Sequence, residues 1–397
     1  MKHHTLPALW LIILIAGLPL LSETVYTPSL PDIAHALSVS ESWVEYTLTI
    51  YLFGFALGTL VWGNLSDKWG RKPCLIAGLA IYLIGCLGCY LSDSILWLMA
   101  SRFIQAFGGS VGSVLGQAIC RDAFHGPALG KVYASVGGAL SIFPAIGPII
   151  GGVIDQNFGW SAIFLFLIGF GSLVLGLIIL SLPETHTAEN RTHIPLKDTL
   201  IRMMGDRHVI GYGLLVAAAN GMMFSYFAEG PFFMIELQKL TPSQYGFTFI
   251  GLALAMLCSG LIGRKLHDSH NSRTILNYGL ITTLLGSLML LGAVSAPLNR
   301  DLVIGGSILA MMAISGGTIM VASNALSVSL VDYKKCIGTA SSLFGFFYYS
   351  LVSLFTLGMG YLHNGTLLVM PIYFCGIAVF MILINKSLLS QKNRQEE

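Results

Sequence analysis

Charge is what this chain has least of. Asp, Glu, Lys and Arg make up 10% of its 397 residues, against about 25% in ordinary soluble domains. Hydrophobic residues reach 55% and the mean hydropathy is +0.76. Together these exclude a water-soluble globular protein and indicate a chain that crosses a membrane many times. Neither sign of charge dominates, since the net charge is +2, and no basic, aromatic-laced patch offers itself to nucleic acid. There is no glycine-rich phosphate loop ending in Lys and Ser or Thr, so ATP drive is not expected. No catalytic cluster near an interface argues for an enzyme. The seven cysteines are scattered and suggest neither a disulfide framework nor a metal site. Cys86 and Cys89 have redox-like spacing, but an apolar helix surrounds them and makes them small packing residues. His267 and His270 flank Asp268 in a polar loop and read as solvated.

What the chain has instead is a series of apolar runs. A helix needs about 20 apolar residues to span a bilayer. Twelve such runs lie near 8–30, 44–64, 74–92, 95–119, 130–154, 161–182, 209–235, 245–263, 274–294, 302–325, 337–360 and 366–386. The first follows Lys2, but it is too long for a signal peptide, contains Glu23 and lacks a small-residue cleavage site. It reads as a retained helix. His3-His4 is too short for a purification tag. The basic residues fix an expected orientation. Alternate loops and both ends carry 18 of the 21 Lys and Arg residues, among them Lys68, Arg71, Lys72, Arg121, Lys131, Arg191, Lys197, Arg202, Arg207, Lys334, Lys335, Lys392 and Arg394. Lys239 and Arg300 stand in the opposite loops and Arg102 lies within a helix. Both termini are therefore expected on the cytoplasmic side.

The longest polar stretch, about Pro183 to His208, sits at mid-chain. It predicts an all-α polytopic protein of two six-helix bundles, 1–186 and 208–397, with a cytoplasmic linker at 187–207. The loop Gly63 to Lys72 has a weak echo at Gly263 to Asp268, and paired halves with a site between them are common among transporters. Within the fifth run, Pro144 to Gly152 reads Pro-Ala-Ile-Gly-Pro-Ile-Ile-Gly-Gly. Proline kinks a helix, glycine lets helices approach closely, and such a break survives in lipid only where protein or a water-lined cavity satisfies it. A helix carrying Gly147, Pro148, Gly151 and Gly152 is built to bend and pack tightly at one place. The alternative is a close-packing helix with no functional bend.

The loop Gly63-Asn64-Leu65-Ser66-Asp67-Lys68-Trp69-Gly70-Arg71-Lys72 resembles the G-x-L-x-D-x-x-G-R-K signature of the major facilitator superfamily. Arg102-Phe103-Ile104-Gln105-Ala106 resembles its R-x-x-Q-G motif, with Ala106 in place of glycine. Pro144 to Gly152 resembles the Gly-Pro motif of its exporters, and Pro183-Glu184-Thr185 also fits. With Ser22, Tyr26, Pro28 and Pro31, the chain resembles the bicyclomycin-resistance type of drug:proton antiporter. That subfamily has Ser-Thr-Asp-x-Tyr-x-Pro in its first helix. Here Glu23 stands one residue earlier and Thr24 fills the acidic position, a rotation of about 100° around the helix.

An ionisable group at membrane depth is a functional hypothesis by default. Glu23 is the first candidate for proton coupling, the alternative being an interfacial glutamate that reaches the headgroups. Arg102 lies at a matching depth, about 10 Å inside the outer end of its helix, and is expected to contact Glu23 directly or through water. Its alternative is a structural lock with Gln105. Glu229, beside Pro231, is a second proton site, a counter-charge for a cationic substrate, or a group facing outside water. Tyr26, Asn220, Phe227 and Phe346 are the candidate substrate contacts, aromatic faces being suited to lipophilic cations. The resemblance implies that Asp67, with Arg71 and more loosely Arg121, gates the cytoplasmic side by meeting the start of the eleventh helix near Gly338 and Thr339. It further implies a proton-driven exporter of small amphipathic compounds in a bacterial inner membrane, with no cofactor and no metal, acting as a monomer. A dedicated exporter of one metabolite or siderophore is the close alternative; a proton-coupled importer or a non-transporting receptor is less favoured.

Overall fold

The computed structural model describes residues 6–186 and 196–389. Lys2, His3, His4, Arg191, Lys392 and Arg394 lie outside the described residues, as do the side chains of Lys334, Lys335 and Cys336. Among the described residues, twelve helices are long and apolar enough to cross a membrane. Spans 1 to 6 are Leu9–Ala36, Glu41–Trp69, Arg71–Tyr90, Ile95–Ala123, Ala128–Phe158 and Ser161–Ser181. Spans 7 to 12 are Arg207–Leu237, Pro242–Leu266, Ser272–Ser295, Arg300–Tyr333, Ile337–Leu362 and Val369–Leu388. Helices suit this composition because hydrocarbon offers the backbone no partner, and a helix satisfies its own N–H and C=O groups. The outer surface carries many large apolar side chains, Leu180, Ile84, Leu96 and Leu261 among them, that stand out from the bundle.

Buried apolar residues fall into two main clusters. One is built mostly from spans 1–6, including Leu11, Leu75, Leu115 and Phe164. The other is built mostly from spans 7–12, including Val216, Leu280, Ile314 and Phe374. The exceptions show where the halves interlock. Leu48 and Leu52 of span 2 belong to the second cluster, and Phe232 of span 7 belongs to the first. Between the halves, the sequence predicts a linker at 187–207. Residues 187–195 lie outside the described part, and Leu196–Gly205 forms a short helix. Arg202 holds that helix to span 10, donating to the Asp332 carbonyl at 3.3 Å and lying 4.5 Å over the Tyr333 ring. Asp206 then starts span 7 by accepting from the backbone N–H groups of His208 and Val209, as an N-cap carboxylate does.

Span 5 bends where the proline- and glycine-rich motif predicts. Its helix runs Gly126–Leu140, breaks at Ser141 and Ile142, and resumes as Phe143–Phe158. Pro144 stands in the first turn of the second piece, where its missing N–H costs nothing. The glycines that follow face two ways. A Cβ on Gly147 would meet Thr24, and one on Gly151 would meet the Val25 carbonyl, so this face packs on span 1 in the same half. A Cβ on Gly152 would meet the Pro242 carbonyl, and Gly246 of span 8 sits against the Pro148 carbonyl. Ser243 Oγ adds a hydrogen bond to the Gly152 carbonyl at 3.3 Å. Spans 5 and 8 therefore cross backbone to backbone between the halves.

Overpacking a tight core costs about 1–3 kcal/mol. Gly151→Ala is expected to lower the thermal stability of the whole protein, because the strain falls within one half. Gly152→Ala is expected to cost less stability and instead to raise the labelling rate of a cysteine introduced at Ser243, at the span 5–span 8 crossing, because the two halves can separate there. Melting in detergent together with thiol-labelling rates distinguishes the two outcomes.

Candidate functional site

Arg71, Arg121 and Arg202 mark one end of the bundle, the basic end; Glu41, Glu236 and His363 mark the far end. A cavity of about 600 Å³ opens toward the basic end. It is walled by Thr59 of span 2, Ser113, Gln117 and Arg121 of span 4, Ser327 of span 10, and Ser341, Phe344, Tyr348 and Tyr349 of span 11. Both halves contribute, and the lining repeats at helical spacing. Phe344, Gly345, Tyr348 and Tyr349 form one face of span 11, and Phe346 lies on another. Phe346, an expected substrate contact, is not among the residues that line this cavity, because two residues of helix turn it roughly 200° from Phe344. Asn220 and Phe227 are not in the wall either. Asn220 spends its amide on the Val216 carbonyl at 2.8 Å, and Phe227 packs among Phe224 and Phe249.

At the inner end of the cavity an aromatic chain leads to a buried cation. Tyr349 packs on Phe55 at 4.6 Å between ring centroids. One turn earlier on span 2, the Tyr51 ring lies 4.1 Å from the Arg102 guanidinium carbon, and Tyr26 of span 1 stacks on Arg102 from 4.3 Å. Such cation–π contacts are worth about 2 kcal/mol when desolvated. Arg102 Nη1 donates to Gln105 Oε1 at 2.6 Å, and Tyr26 Oη shares a hydrogen bond with Thr47 at 2.9 Å. Tyr26 is thus held against Arg102, away from the cavity, and does not line it. Arg102 is fully buried and Glu23 is 2% exposed. They are electrostatic neighbours, yet no ion pair joins them among the described residues. Arg102 Nε and Nη2 and Glu23 Oε1 have no hydrogen-bond partner there. Of the expected direct or water-bridged Glu23–Arg102 contact, the direct ion pair is absent among the described residues, and the two tyrosine rings face the guanidinium instead. Thr24, at the position where the resemblance places an acid, turns away to Gly147 and bonds back to the Leu20 carbonyl.

The basic-end loop between spans 2 and 3 is organised around Arg71. Its guanidinium pairs with Asp67 at 2.6 Å and Asp122 at 2.8 Å, and it donates to Ser66 Oγ at 2.8 Å. Gly70 permits the turn with a φ of 102°. Glu184 accepts from the backbone N–H groups of Arg71 and Lys72 at 2.9 and 3.1 Å. A carboxylate is favourable there because the helix N-terminus presents free N–H groups and a positive dipole. Asp122, not Arg121, completes the cluster, because one residue of rotation sends Arg121 into the cavity wall. Gly338, expected beside Asp67, also lines the open cavity, so the bonds of Asp67 stay within its own half.

At the far end a second buried cluster joins the halves. His363, just after span 11, has its Nε2 2.6 Å from Glu41 and its Nδ1 2.8 Å from Glu229 and 3.3 Å from Glu45. Glu45 and Glu229 are 0% and 1% exposed. Burial works against a charged His363, but the hydrogen bonds and charges of Glu229 and Glu41 outweigh it, and its pKa is raised to about 9. Glu229 of span 7 therefore faces His363 and Glu45, and does not simply meet outside water.

Residues 12–357 match the Major Facilitator Superfamily. The chain belongs to the major facilitator superfamily. A Rickettsia bellii protein named an uncharacterized transporter is 34% identical over 371 residues, covering 90% of each chain. A Haemophilus influenzae protein named a bicyclomycin resistance protein homolog is 30% identical over 337 residues, 84% of this chain and 83% of that one. Multidrug resistance protein D of Escherichia coli is 27% identical over 188 residues, covering 47% of this chain and 48% of that one. The fold matches a bacterial homolog of the human lysosomal transporter Spinster, in an inward-facing and occupied conformation, with a TM-score of 0.76 over 96% of this chain and 97% of that one at 14% identity.

The superfamily motifs locate the Arg71 loop, Arg102 and the bend of span 5. They do not locate Glu41, Glu45 and His363, which sequence reasoning missed. Each stands near the edge of an apolar run, where a charged residue reads as interfacial. The signal was the pair Glu41 and Glu45 at one-turn spacing, which puts both on one face of a helix. Because the His363 pKa is raised above its ordinary 6.5, its ion pairing is complete below that value and is lost as pH climbs through about 9. Wild type should melt higher than His363→Gln near neutral pH, and the gap should close as pH is raised through that range. A gap that stays constant with pH would contradict the ion-pair assignment.

Proposed function

We propose that the protein exports small amphipathic, drug-like compounds in exchange for protons, by alternating access across a bacterial inner membrane. The basic end is its cytoplasmic end, by the charge bias of its loops, with both termini on that side. The observation that carries the reading is a fully buried Arg102 and a buried Glu23 at the closed end of an aromatic-walled cavity formed by both halves. The Haemophilus and Escherichia relatives, named for bicyclomycin and multidrug resistance, support the same substrate class.

In this reading substrate enters from the cytoplasm and rests against Phe344, Tyr348 and Tyr349. Glu23 carries the exchanged proton, and Arg102 favours its release. Tyr26 and Tyr51 hold Arg102 in place and relay changes in the cavity to it through Phe55 and Tyr349. Glu229 belongs to a separate cluster at the far end. Asp67 and Arg71 steady the basic-end loop when that end closes, and Gly147, Pro148, Gly151 and Gly152 let spans 1, 5 and 8 slide against one another. The drive is the proton gradient, no cofactor is required, and one chain supplies the complete cavity.

Proton release from acid-loaded inverted vesicles, on adding a panel of lipophilic cations and neutral drugs, tests the exchange. Wild type should release protons on substrate addition, and Glu23→Gln and Arg102→Ala should not. Release that persists in Glu23→Gln would move the coupling role elsewhere, and silence to every compound would favour a dedicated metabolite exporter. Tyr348→Ala should raise the substrate KM about tenfold, roughly 1.4 kcal/mol, with little change in maximal rate. An unchanged KM would remove Tyr348 from the binding wall.

A further inference from the structure

The far-end cluster presents a charge imbalance that the exchange centre at Glu23 does not use. Glu41 and Glu45 come from span 2, Glu229 from span 7 and His363 from just beyond span 11. One oxygen of Glu45, one of Glu229 and a ring nitrogen of His363 all lie within 4.8 Å of one another. Glu45 is fully buried, and neither of its carboxylate oxygens has a hydrogen-bond partner among the described residues. Three carboxylates face one imidazole, whose two nitrogens are taken by Glu41 and Glu229. A second buried carboxylate beside Glu229 has no cation of its own, and like charges this close cannot both persist away from water. The remaining charged groups nearby are already matched: Glu236 pairs with His35 at 2.8 Å and with Lys239 at 3.9 Å. The other neighbour of the ring is apolar, Phe232 at 5.6 Å.

Two cations suit such a site, a proton and a divalent metal. The geometry favours the proton. A metal ligand nitrogen must offer a lone pair, and here both ring nitrogens point at carboxylates, the arrangement of an imidazolium that donates from each. The site also has a route to the far end through Glu41 and His363. A second cavity, of about 480 Å³, reaches it from the far end and is lined by Glu41, His363, His35 and Glu236.

We propose that Glu45 and Glu229 hold one proton between them, forming a second proton-binding site that is loaded from the far end while the substrate cavity stands open to the basic end. The site deepens the antiport reading and rests on it for its purpose: its proton binds and leaves at the far end and sets when that end closes, while Glu23 carries the exchanged proton. The glutamates of span 2 belong to one half, and Glu229 and His363 to the other. Separation of the halves at the far end splits the pair and frees the proton, and closure reassembles it. His363 supplies the positive charge that balances the one negative charge left on the carboxylate pair. The proton comes from solvent and returns to solvent, and no bond other than its own is made or broken.

Infrared spectroscopy of the full-length protein in lipid, reading the protonated-carboxyl stretch as pH is varied, tests occupancy without any transport. Wild type should show a protonated-carboxyl component that Glu45→Gln removes. Glu229→Gln should remove the same component, because Glu45 then pairs with His363 and ionises, and the double variant should lose no more than either single one. The component should survive Glu23→Gln, so failure of the antiport reading and failure of this site are distinguishable. Both single variants are near-isosteric, and size-exclusion profiles establish that each is folded. A component untouched by both variants, or losses that simply add, would overturn the shared proton. Zinc ion binding at one per chain that abolishes the component and depends on Glu45, Glu229 and His363 would overturn it in favour of a metal site.

Discussion

A charge held away from water must be matched or neutralised, and in this protein that constraint decides where the machinery sits. Arg102 is matched by two aromatic faces and Gln105 rather than by a touching carboxylate. Because the match is incomplete, Arg102 and Glu23 each keep a polar atom with no hydrogen-bond partner among the described residues, which the proposed exchange uses. A fully paired Arg102–Glu23 bridge would be more stable as an ion pair and less able to trade a proton. Arg71 shows the opposite solution. It sits between two carboxylates and a hydroxyl, fully committed, and serves as a fastener.

The same constraint gives the two ends different characters. At the basic end the halves part around a cavity, and the ionic contacts of Arg71 stay within one half. At the far end Glu41, Glu45, Glu229 and His363 reach across from both halves. Close backbone approach does the rest. Gly152 and Gly246 let spans 5 and 8 cross with carbonyls almost touching glycine carbons, a contact with little side chain to disentangle. The proposed alternation between two closures needs contacts of this kind, tight but not interdigitated, on the surface where the halves would move.

Much of this was legible in the sequence. Twelve apolar runs became twelve spans, since length and hydropathy are direct consequences of bilayer thickness. The bend before Pro144 and the packing of its glycines followed from what proline and glycine do to a helix. The site was less legible. Glu23 and Arg102 were found as lone charges in apolar runs, but the stacking of Tyr26 and Tyr51 on Arg102 depends on helix rotations that spacing along one helix does not give. Phe346 was chosen over Tyr348 and Tyr349 for the same reason. The far-end cluster was missed because its members come from three distant segments, and only packing of spans 2, 7 and 11 brings them together.

The central claim is that the two halves alternate about the cavity, one end opening as the other closes. Spin labels on a cysteine-free protein in lipid, one pair at Lys68 and Val331 across the basic end and another at Ser40 and Thr366 across the far end, measure both closures at once. The account predicts that, across pH and substrate additions, one distance shortens whenever the other lengthens. Two distances that lengthen together, or that never move, would contradict it.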